Sequence, residues 1–215
     1  MIQSAKNGSD TLVILASGFG SNLQAILDAC QSRELPAQIA AVFSDQPEAY
    51  ALERARLSGI PAHCFAWKPY RERGLDRRSY DADLAQAVAS YQPDWIVLAG
   101  WMRILTSAFL NRFPMQVINL HPALPGNFPG THAIERAWVA FQAGQIQHTG
   151  VMVHFVPDEG VDDGPLIRSE VVTIDSTDTL ETLTGRMHMV EHALLIDALQ
   201  QVIAKKQTRA ISPIA

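Results

Sequence analysis

Short, almost continuous apolar runs alternate along the chain with segments in which apolar residues recur every three or four positions. The runs have strand length and lie at residues 11–16, 39–44, 95–99, 117–120 and 151–156. Such runs are typical of parallel strands that are buried on both faces of a sheet. The pattern predicts an α/β fold, a single domain with a mostly parallel, Rossmann-like sheet and helices on both faces.

Four segments have the apolar spacing of one helix face and complete this alternation. They lie at residues 22–31, 48–58 and 78–91 and in the region after residue 178. We expect the last of these helices to be long and to pack across the sheet. Two further segments, 122–132 and 157–165, are rich in Pro, Gly or acidic residues and are predicted as loops, where functional sites are often located.

The composition narrows the functions that such a domain could have. The chain has 215 residues with 17 basic and 22 acidic side chains, and therefore a formal net charge of −5. This balance lacks the broad positive field of nucleic-acid-binding proteins, although a local pocket can still bind a small anion. No stretch approaches the roughly 20 apolar residues of a membrane helix. Neither nucleic acid nor a membrane is expected as a partner.

The cysteines and the two ends of the sequence lead to expectations about location and boundaries. Cys30 and Cys64 are the only cysteines, too few for a disulfide scaffold. The polar N-terminal segment does not resemble a signal peptide, so we expect a cytoplasmic protein. We place one domain at residues 11–206, between an N-terminal extension at 1–10 that we expect to be flexible and a C-terminal tail at 207–215.

A glycine-containing segment, residues 17–22 (SGFGSN), lies between the first predicted strand and the first predicted helix. Its glycines allow a tight turn, after which the first amides of the helix face an anion. A dinucleotide motif requires a third glycine where Leu23 stands, although Asp45 lies near the position of a ribose-binding acid. A phosphate site with donors from Ser21 and Asn22 fits better, and a plain glycine turn capped by Ser21 is the alternative.

Asn119 and His121 lie at the end of a predicted buried strand and on the same side of it, because side chains alternate along a strand. An amide donor beside a group that titrates near neutral pH can stabilise an oxyanion, whereas a purely structural pair is the alternative. The acidic loop at 158–165 is either a solvated turn or the source of a carboxylate that orients His121.

Other catalytic patterns are missing from the sequence. The chain has seven histidines, but it contains neither H-E-x-x-H nor paired C-x-x-C, so we expect no metal. There is no G-x-S-x-G nucleophile motif. A nicotinamide-dependent oxidoreductase and a non-catalytic ligand-binding domain remain as alternatives of other classes.

Four motifs, taken in order, resemble those of the phosphoribosylglycinamide formyltransferases, which are folate-dependent enzymes of purine biosynthesis. They are SGFGSNLQ at 17–24, AGWMRIL at 99–105, NLHP at 119–122 and the acidic loop at 158–165. The resemblance extends from about residue 11 to residue 199. It implies the formyltransferase fold and the transfer of a formyl group from 10-formyltetrahydrofolate to the amine of glycinamide ribonucleotide, without a metal.

The same resemblance implies the roles of individual residues. Asn119 and His121 bind the formyl oxygen, with His121 as the proton donor and Asp162 holding and polarising it. The implied ribonucleotide site consists of Gly20, Ser21, Asn22 and Glu191. The implied folate site consists of Arg77, Met102, Arg103, Ile104, Leu105 and Asn119.

The sequence departs from the family pattern in three places. Residues 123–126 read ALPG where relatives commonly have Ser-Leu-Leu-Pro, and His188 stands where a glutamine is familiar. Asp163 is an extra acid beside Asp162, so the acid that pairs with His121 could be either one. Ordinary core packing is the alternative for the apolar residues of the 102–105 segment.

The nearest rival activity is that of formyltetrahydrofolate hydrolase, which uses water as the acceptor at a similar site. Relatives of that kind carry a regulatory domain before the glycine loop, and methionyl-tRNA formyltransferases add a C-terminal domain for tRNA. Only about fifteen residues precede the glycine loop here, and the sequence ends at residue 215. We therefore expect the smaller transferase, with the hydrolase as the alternative.

Overall fold

A computed structural model describes residues 9–211 of the protein. Seven strands form one sheet in the order β3-β2-β1-β4-β5-β6-β7. The strands are β1 (Asp10–Leu15), β2 (Ala37–Ser44), β3 (Ala62–Cys64), β4 (Trp95–Leu98), β5 (Val117–His121), β6 (His148–Phe155) and β7 (Leu166–Thr173). Strands β1 to β5 pair in parallel, while β6 pairs antiparallel with both β5 and β7. The mostly parallel sheet predicted from the sequence is confirmed.

Seven helices connect or follow these strands. They are α1 (Ser21–Gln31), α2 (Tyr50–Leu57), α3 (Lys68–Glu72), α4 (Arg77–Ala89), α5 (Ser107–Leu110), α6 (Ala133–Gln142) and α7 (Leu180–Ile211). The long helix α7 packs against α1, β6 and β7. The expectation that the last helix crosses the sheet is therefore confirmed.

Two apolar cores lie on opposite faces of the sheet, as the alternation along β1 shows. Leu12 and Ile14 face a core that includes α1 and α7. Val13 and Leu15 face a second core that includes α4 and α5. All four side chains are fully buried, and burial of each such side chain stabilises the fold by about 1.5–3 kcal/mol. Helices on both faces are thus required by a strand that is apolar at four successive positions, from Leu12 to Leu15.

The strand order reverses next to β1, which positions the functional site. From β1 the chain continues to β2 and β3 on one side, and then returns to β4 on the other side. The loops after β1 and β4 meet at this point, because the Ser17 N–H donates to the Gly100 carbonyl over 2.9 Å. The Met102 N–H also donates to Ser17 Oγ, over 2.9 Å. Ligands of open α/β sheets bind at such a reversal, outside the carboxyl ends of the strands.

Several elements differ from the sequence-based predictions. Strands β3 and β7 and helices α3, α5 and α6 were not predicted. β3 has only three residues, and β7 is largely exposed along its length, so neither has the apolar run of a central strand. The segments 122–132 and 157–165 contain neither helix nor strand, as predicted.

The predicted domain limits fall inside secondary structure. β1 begins at Asp10, and α7 continues through Ile211 rather than giving way to a tail at residue 207. The expectations for residues 1–8 and 212–215 lie outside the described residues. Within residues 9–211, no helix combines the length and apolar character needed to span a membrane.

Candidate active site

A cavity of about 890 Å³ opens at the carboxyl ends of β1, β4 and β5. Its wall consists of the loops that follow these strands, the acidic loop and one face of α7. The predicted site residues that line it are Gly20, Ser21, Asn22, Met102, Arg103, Ile104, Leu105, Asn119, His121, Asp162 and Glu191. The fold therefore brings together residues from five separate segments of the chain in one cavity.

At one end of the cavity, His121 lies between two oxygen atoms. His121 Nδ1 is 3.2 Å from Asp162 Oδ2, and His121 Nε2 is 3.1 Å from the Phe128 carbonyl oxygen. Because a carbonyl only accepts, Nε2 carries a hydrogen and donates to it. Asp162, and not Asp163, is the acid beside His121. Asp163 is exposed, and its carboxylate lies against Gly160 instead.

The protonation of His121 depends on opposing influences. Burial lowers the pKa of His121, and the Asp162 carboxylate and the Phe128 carbonyl oppose this effect, while His154 and Arg136 add to it. The pKa is lowered overall, which favours the neutral imidazole, in which only one of the two ring nitrogens carries a hydrogen. Its surroundings nevertheless contain an acceptor for each ring nitrogen, and a proton that arrives there is stabilised by both.

Asp162 accepts hydrogen bonds from several directions. The Gly130 N–H donates to Oδ2 over 2.7 Å, and Asn119 Nδ2 donates to Oδ1 over 3.0 Å. Burial favours the neutral acid, but these polar contacts and the neighbouring His154 and His121 hold the pKa of Asp162 below its ordinary value. Asp162 has φ +54°, a left-handed conformation that is costly for a residue with a side chain. The strained backbone directs this carboxylate, and not its neighbour's, toward His121.

Asn119 is joined to a second buried histidine that the sequence analysis did not single out. His154 lies opposite Asn119 in the antiparallel pairing of β5 and β6. Its Nδ1 is 2.8 Å from the Phe155 carbonyl oxygen, and its Nε2 is 3.2 Å from Asn119 Nδ2. Both amide hydrogens of Asn119 are therefore directed at protein acceptors, one on His154 and one on Asp162.

At the other end of the cavity, the glycine loop leads into helix α1. Gly20 has φ +75° and is the N-cap residue, and no side chain caps the helix. Ser21 is thus the first helical residue and not a cap. The first amides of a helix lack partners within it and carry partial positive charge, which favours an anion.

Asn22 connects this helix N-terminus to α7. Asn22 Nδ2 donates to Glu191 Oε2 over 3.1 Å, and Asn22 Oδ1 is buried without a hydrogen-bond partner. Glu191 is only 6% exposed. Burial raises the pKa of its carboxyl group, while the Asn22 hydrogen bond and nearby His188 act against the rise. His188 also lines the cavity, on the same side of α7 as Glu191.

The third wall of the cavity is the segment after β4. Met102 and Ile104 are 66% and 56% exposed, which is unusual for large apolar side chains within a concave site. Leu105 is buried and belongs to the core next to α4 and α5. Ordinary core packing therefore describes Leu105 but not the other two residues.

The two arginines predicted for the folate site have different positions. Arg103 lines the cavity, and its Nε donates to buried Asp45 over 2.6 Å. Arg77 does not line the cavity: its guanidinium donates to the Ile104 carbonyl over 2.8 Å and to Asp81 over 3.2 Å. The structure does not bring Arg77 into the cavity with the other residues predicted for the folate site, because its charge is directed into the supporting loop.

Residues missed by the sequence analysis act through backbone or cross-strand contacts. Phe128 and Gly130 contribute a carbonyl and an amide, which any residue type could supply, so the sequence contains no signal for them. The pairing of His154 with Asn119 required the strand register. Among the described residues, no group of three or more His, Cys, Asp or Glu side chains is arranged to hold a metal ion.

An amide and an imidazole–carboxylate pair next to a helix N-terminus at the reversal of an α/β sheet define a group-transfer site of the formyltransferase type. The formyl transferase family model matches residues 11–199, and the chain belongs to this family.

Individual relatives are similar to this chain over most of their length. The phosphoribosylglycinamide formyltransferase of Schizosaccharomyces pombe is 45% identical over 203 residues, which cover 90% of this chain and 97% of the relative. The Escherichia coli protein of the same name is 39% identical, with 85% and 82% covered. The solved structure of glycinamide ribonucleotide transformylase 1 from Symbiobacterium toebii matches with a TM-score of 0.85 and 35% identity, covering 95% of this chain and 92% of that one.

Proposed function

We propose that the protein transfers the formyl group of 10-formyltetrahydrofolate to the amine of glycinamide ribonucleotide. The products are formylglycinamide ribonucleotide and tetrahydrofolate, in the de novo synthesis of purines (IMP). The observation that supports this most is the layout of one cavity, in which an anion-binding helix end and an exposed apolar wall flank the Asn119–His121–Asp162 group. The names of the relatives agree with this activity.

The ribonucleotide is proposed to bind at the glycine-loop end. The amides of Gly20, Ser21 and Asn22 bind its phosphate, where the helix N-terminus favours negative charge. Glu191 and the unpartnered Asn22 Oδ1 are acceptors that suit the hydroxyl groups of a ribose. Because the protein carries a net charge of −5, attraction of this anion has to come from local donors.

The formyl donor is proposed to bind along the segment after β4. Exposed Met102 and Ile104 cover an aromatic heterocycle, and backbone groups of the segment, which ends at Leu105, recognise its edge. Arg103 contributes positive charge at the same wall. Arg77 supports the site indirectly, since it holds the Ile104 carbonyl and thereby the shape of the segment. Asn119 completes this site at the formyl group.

Attack of the amine on the formyl carbon produces negative charge on the formyl oxygen and positive charge on the attacking nitrogen. We assign the stabilisation of the oxygen to the amide of Asn119 and to His121. In the described conformation both amide hydrogens of Asn119 contact protein acceptors. Binding of the formyl oxygen therefore exchanges one of these contacts for a contact to substrate.

The remaining chemistry is the movement of a proton to the folate nitrogen that leaves. His121 is the proposed proton donor: its lowered pKa makes the imidazolium a stronger acid, so a proton received from the positively charged amine nitrogen is readily passed on to the leaving folate nitrogen. Asp162 orients the ring through Nδ1 and stabilises the imidazolium while it exists. Neither a metal nor a covalent intermediate with the protein is required.

The proposal is tested with purified protein, 10-formyltetrahydrofolate and glycinamide ribonucleotide. We expect loss of the formyl group from folate only when the amine is present, with formylglycinamide ribonucleotide detected by mass spectrometry. Loss without the amine supports the hydrolase alternative instead, which the relatives' names do not favour. No loss under either condition overturns both activities. A cytoplasmic location without nucleic-acid or membrane partners remains a prediction.

A further inference from the structure

Helix α2 contacts the glycine loop at three successive loop residues, Gly18, Phe19 and Gly20. The Ala51 N–H donates to the Gly18 carbonyl over 3.1 Å. A Cβ atom on Gly20 would lie 2.8 Å from the Cβ of Ala51, so the loop backbone is in close contact with the helix. Arg54 Nε donates to the Phe19 carbonyl over 3.0 Å. The first turns of α2 thus hold the carbonyls of both Gly18 and Phe19.

These two hydrogen bonds determine where the neighbouring amides point. In a planar trans peptide unit, the carbonyl and the following N–H point in opposite directions. With the Gly18 and Phe19 carbonyls directed at α2, the N–H groups of Phe19 and Gly20 are directed away from it. Successive amides turned to one side form a concave site for an anion. The loop residues concerned also line the active-site cavity.

Arg54 is held in place by more than its bond to the loop. Arg54 Nη1 donates to Gln24 Oε1 in α1 over 2.8 Å. Its guanidinium carbon is 4.5 Å from the ring centre of Phe19 and 4.8 Å from that of Tyr50. These two rings stack with centres 5.3 Å apart. The side chain therefore joins α1, α2 and the glycine loop through contacts that depend on a flat guanidinium.

Among the described residues, the charge of Arg54 is not paired with an acid. Nearby Arg56 pairs with Glu53 over 3.4 Å on the exposed face of α2. In the part of the chain that the structure describes, no carboxylate forms an ion pair with Arg54. The two arginines are on the same helix, but only one of them contacts the cavity wall.

We propose that Arg54 is a positioning residue for the substrate phosphate: by holding the Phe19 carbonyl it orients the loop amides toward the anion. This proposal rests on the proposed function, which assigns the ribonucleotide phosphate to the loop. It concerns binding of one substrate only, because Arg54 is not among the residues that line the cavity near His121.

The test compares Arg54→Ala with Arg56→Ala as the matched control. We expect Arg54→Ala to raise the KM for glycinamide ribonucleotide about tenfold, equivalent to the loss of one good polar contact. The KM for 10-formyltetrahydrofolate and kcat should stay within about twofold of the unaltered enzyme, and Arg56→Ala should change none of the three. Equal increases in both KM values, or no difference between the two variants, overturn the proposal.

Inorganic phosphate separates this proposal from the proposed function. Its dissociation constant, measured by calorimetry on the protein without substrates, should rise in Arg54→Ala in parallel with the ribonucleotide KM. Weakened phosphate binding in a protein that transfers no formyl group would support the Arg54 assignment while the proposed function fails. Unchanged phosphate binding in an active enzyme would overturn the Arg54 assignment alone.

Arg54→Lys tests the geometric part of the proposal and serves if Arg54→Ala does not fold, which thermal melting will show. Lysine retains the charge but lacks the flat, forked donor group. We expect phosphate binding and the ribonucleotide KM to remain clearly impaired, at about one-third of the alanine effect on a logarithmic scale or more. Full recovery with lysine would show that charge alone suffices and would overturn the positioning role.

Discussion

The two ends of the cavity recognise polar groups by different means. At the His121 end, buried side chains satisfy one another: Asp162 accepts from Asn119 and Gly130, and His121 lies between two acceptors. At the glycine-loop end, the donors are backbone amides, and the side chains do not fully satisfy one another's hydrogen-bonding groups. Asn22 Oδ1 has no partner, and Glu191 is buried with a raised pKa.

This difference indicates how the protein divides its work. Apart from the one contact that Asn119 exchanges for the formyl oxygen, the groups around His121 and Asp162 are already in place before charge develops, so this network serves the chemical step. At the glycine-loop end, the unpaired acceptor and the first helix amides gain hydrogen-bond partners only when a ligand is present, so this end serves binding. Changes at the first end should therefore lower kcat, and changes at the second should raise KM.

The strongest test of this division is His121→Ala. Loss of the proton donor is expected to lower kcat by about 10³–10⁴-fold, with little change in the ribonucleotide KM. Steady-state kinetics with each substrate varied in turn measures both constants. A kcat within tenfold of the unaltered enzyme would remove His121 from the chemical step.

Asp162→Asn should have the next largest effect. The change keeps the size of the side chain but removes the negative charge that orients and stabilises the imidazolium, so kcat should fall by about 10²–10³-fold. Asp163→Asn is the control, since Asp163 is exposed and has its carboxylate against Gly160. If Asp163→Asn were the damaging change, the acid assigned to His121 would be wrong.

Gly20→Ala examines the binding end. The added methyl group would lie 2.8 Å from Ala51 Cβ and would occupy a residue with φ +75°, so the loop has to shift. We expect the ribonucleotide KM to rise about tenfold while kcat changes little, because uniform binding is lost. Gly59→Ala is the control: its φ is +70° but nothing lies within 4 Å of the new methyl group. It should lower stability and leave both constants unchanged.

Glu191→Gln should produce the smallest effect, a change in stability that depends on pH. Burial raises the pKa of Glu191, so between the unfolded and folded pKa values the unfolded chain binds fewer protons and stability falls as pH rises.

Glutamine does not titrate, and its amide can donate to the unpartnered Asn22 Oδ1. We expect a Tm a few degrees higher than that of the unaltered protein at pH 7, with the difference lost below about pH 4, where glutamate is protonated in both states. Melting curves from pH 4 to pH 8 measure this. A gain that is independent of pH, or equal to that of exposed Glu53→Gln, would contradict a buried carboxylate at the binding end.

The strands and helices that could be predicted from the sequence are those whose buried positions are occupied by apolar residues. β1 is apolar from Leu12 to Leu15 and is buried throughout, and the helix that begins at Ser21 has one apolar face. β7 escaped prediction because it is largely exposed and carries apolar residues such as Val171 on its exposed face. α6 was missed although its buried residues Ile134, Ala137 and Ala140 recur every three positions. A local pattern of apolar residues indicates which positions are buried, and a prediction from it fails where apolar residues are exposed.

The site could be predicted only in part, for the same kind of reason. Asn119 and His121 are two residues apart on one strand, so their common direction follows from alternation. Arg103 and Met102, which the resemblance assigns to the folate site, line the cavity, whereas Arg77, assigned by the same resemblance, points into the supporting loop. A sequence motif indicates which residues lie near a site, but the packing of the fold determines where the charged group of a long side chain is located.

The sequence by itself determined the α/β class, five of the strands and four of the helices in their order along the chain, and the motifs whose chemistry suggests formyl transfer. These properties depend on residues close together in the sequence, where the spacing of apolar residues and the residue types are informative. Only the tertiary structure decided that Asp162 rather than Asp163 faces His121, that His154 joins Asn119, and that Arg54 donates to the glycine loop. Each of these contacts joins distant segments through strand register or backbone conformation, which no local pattern records.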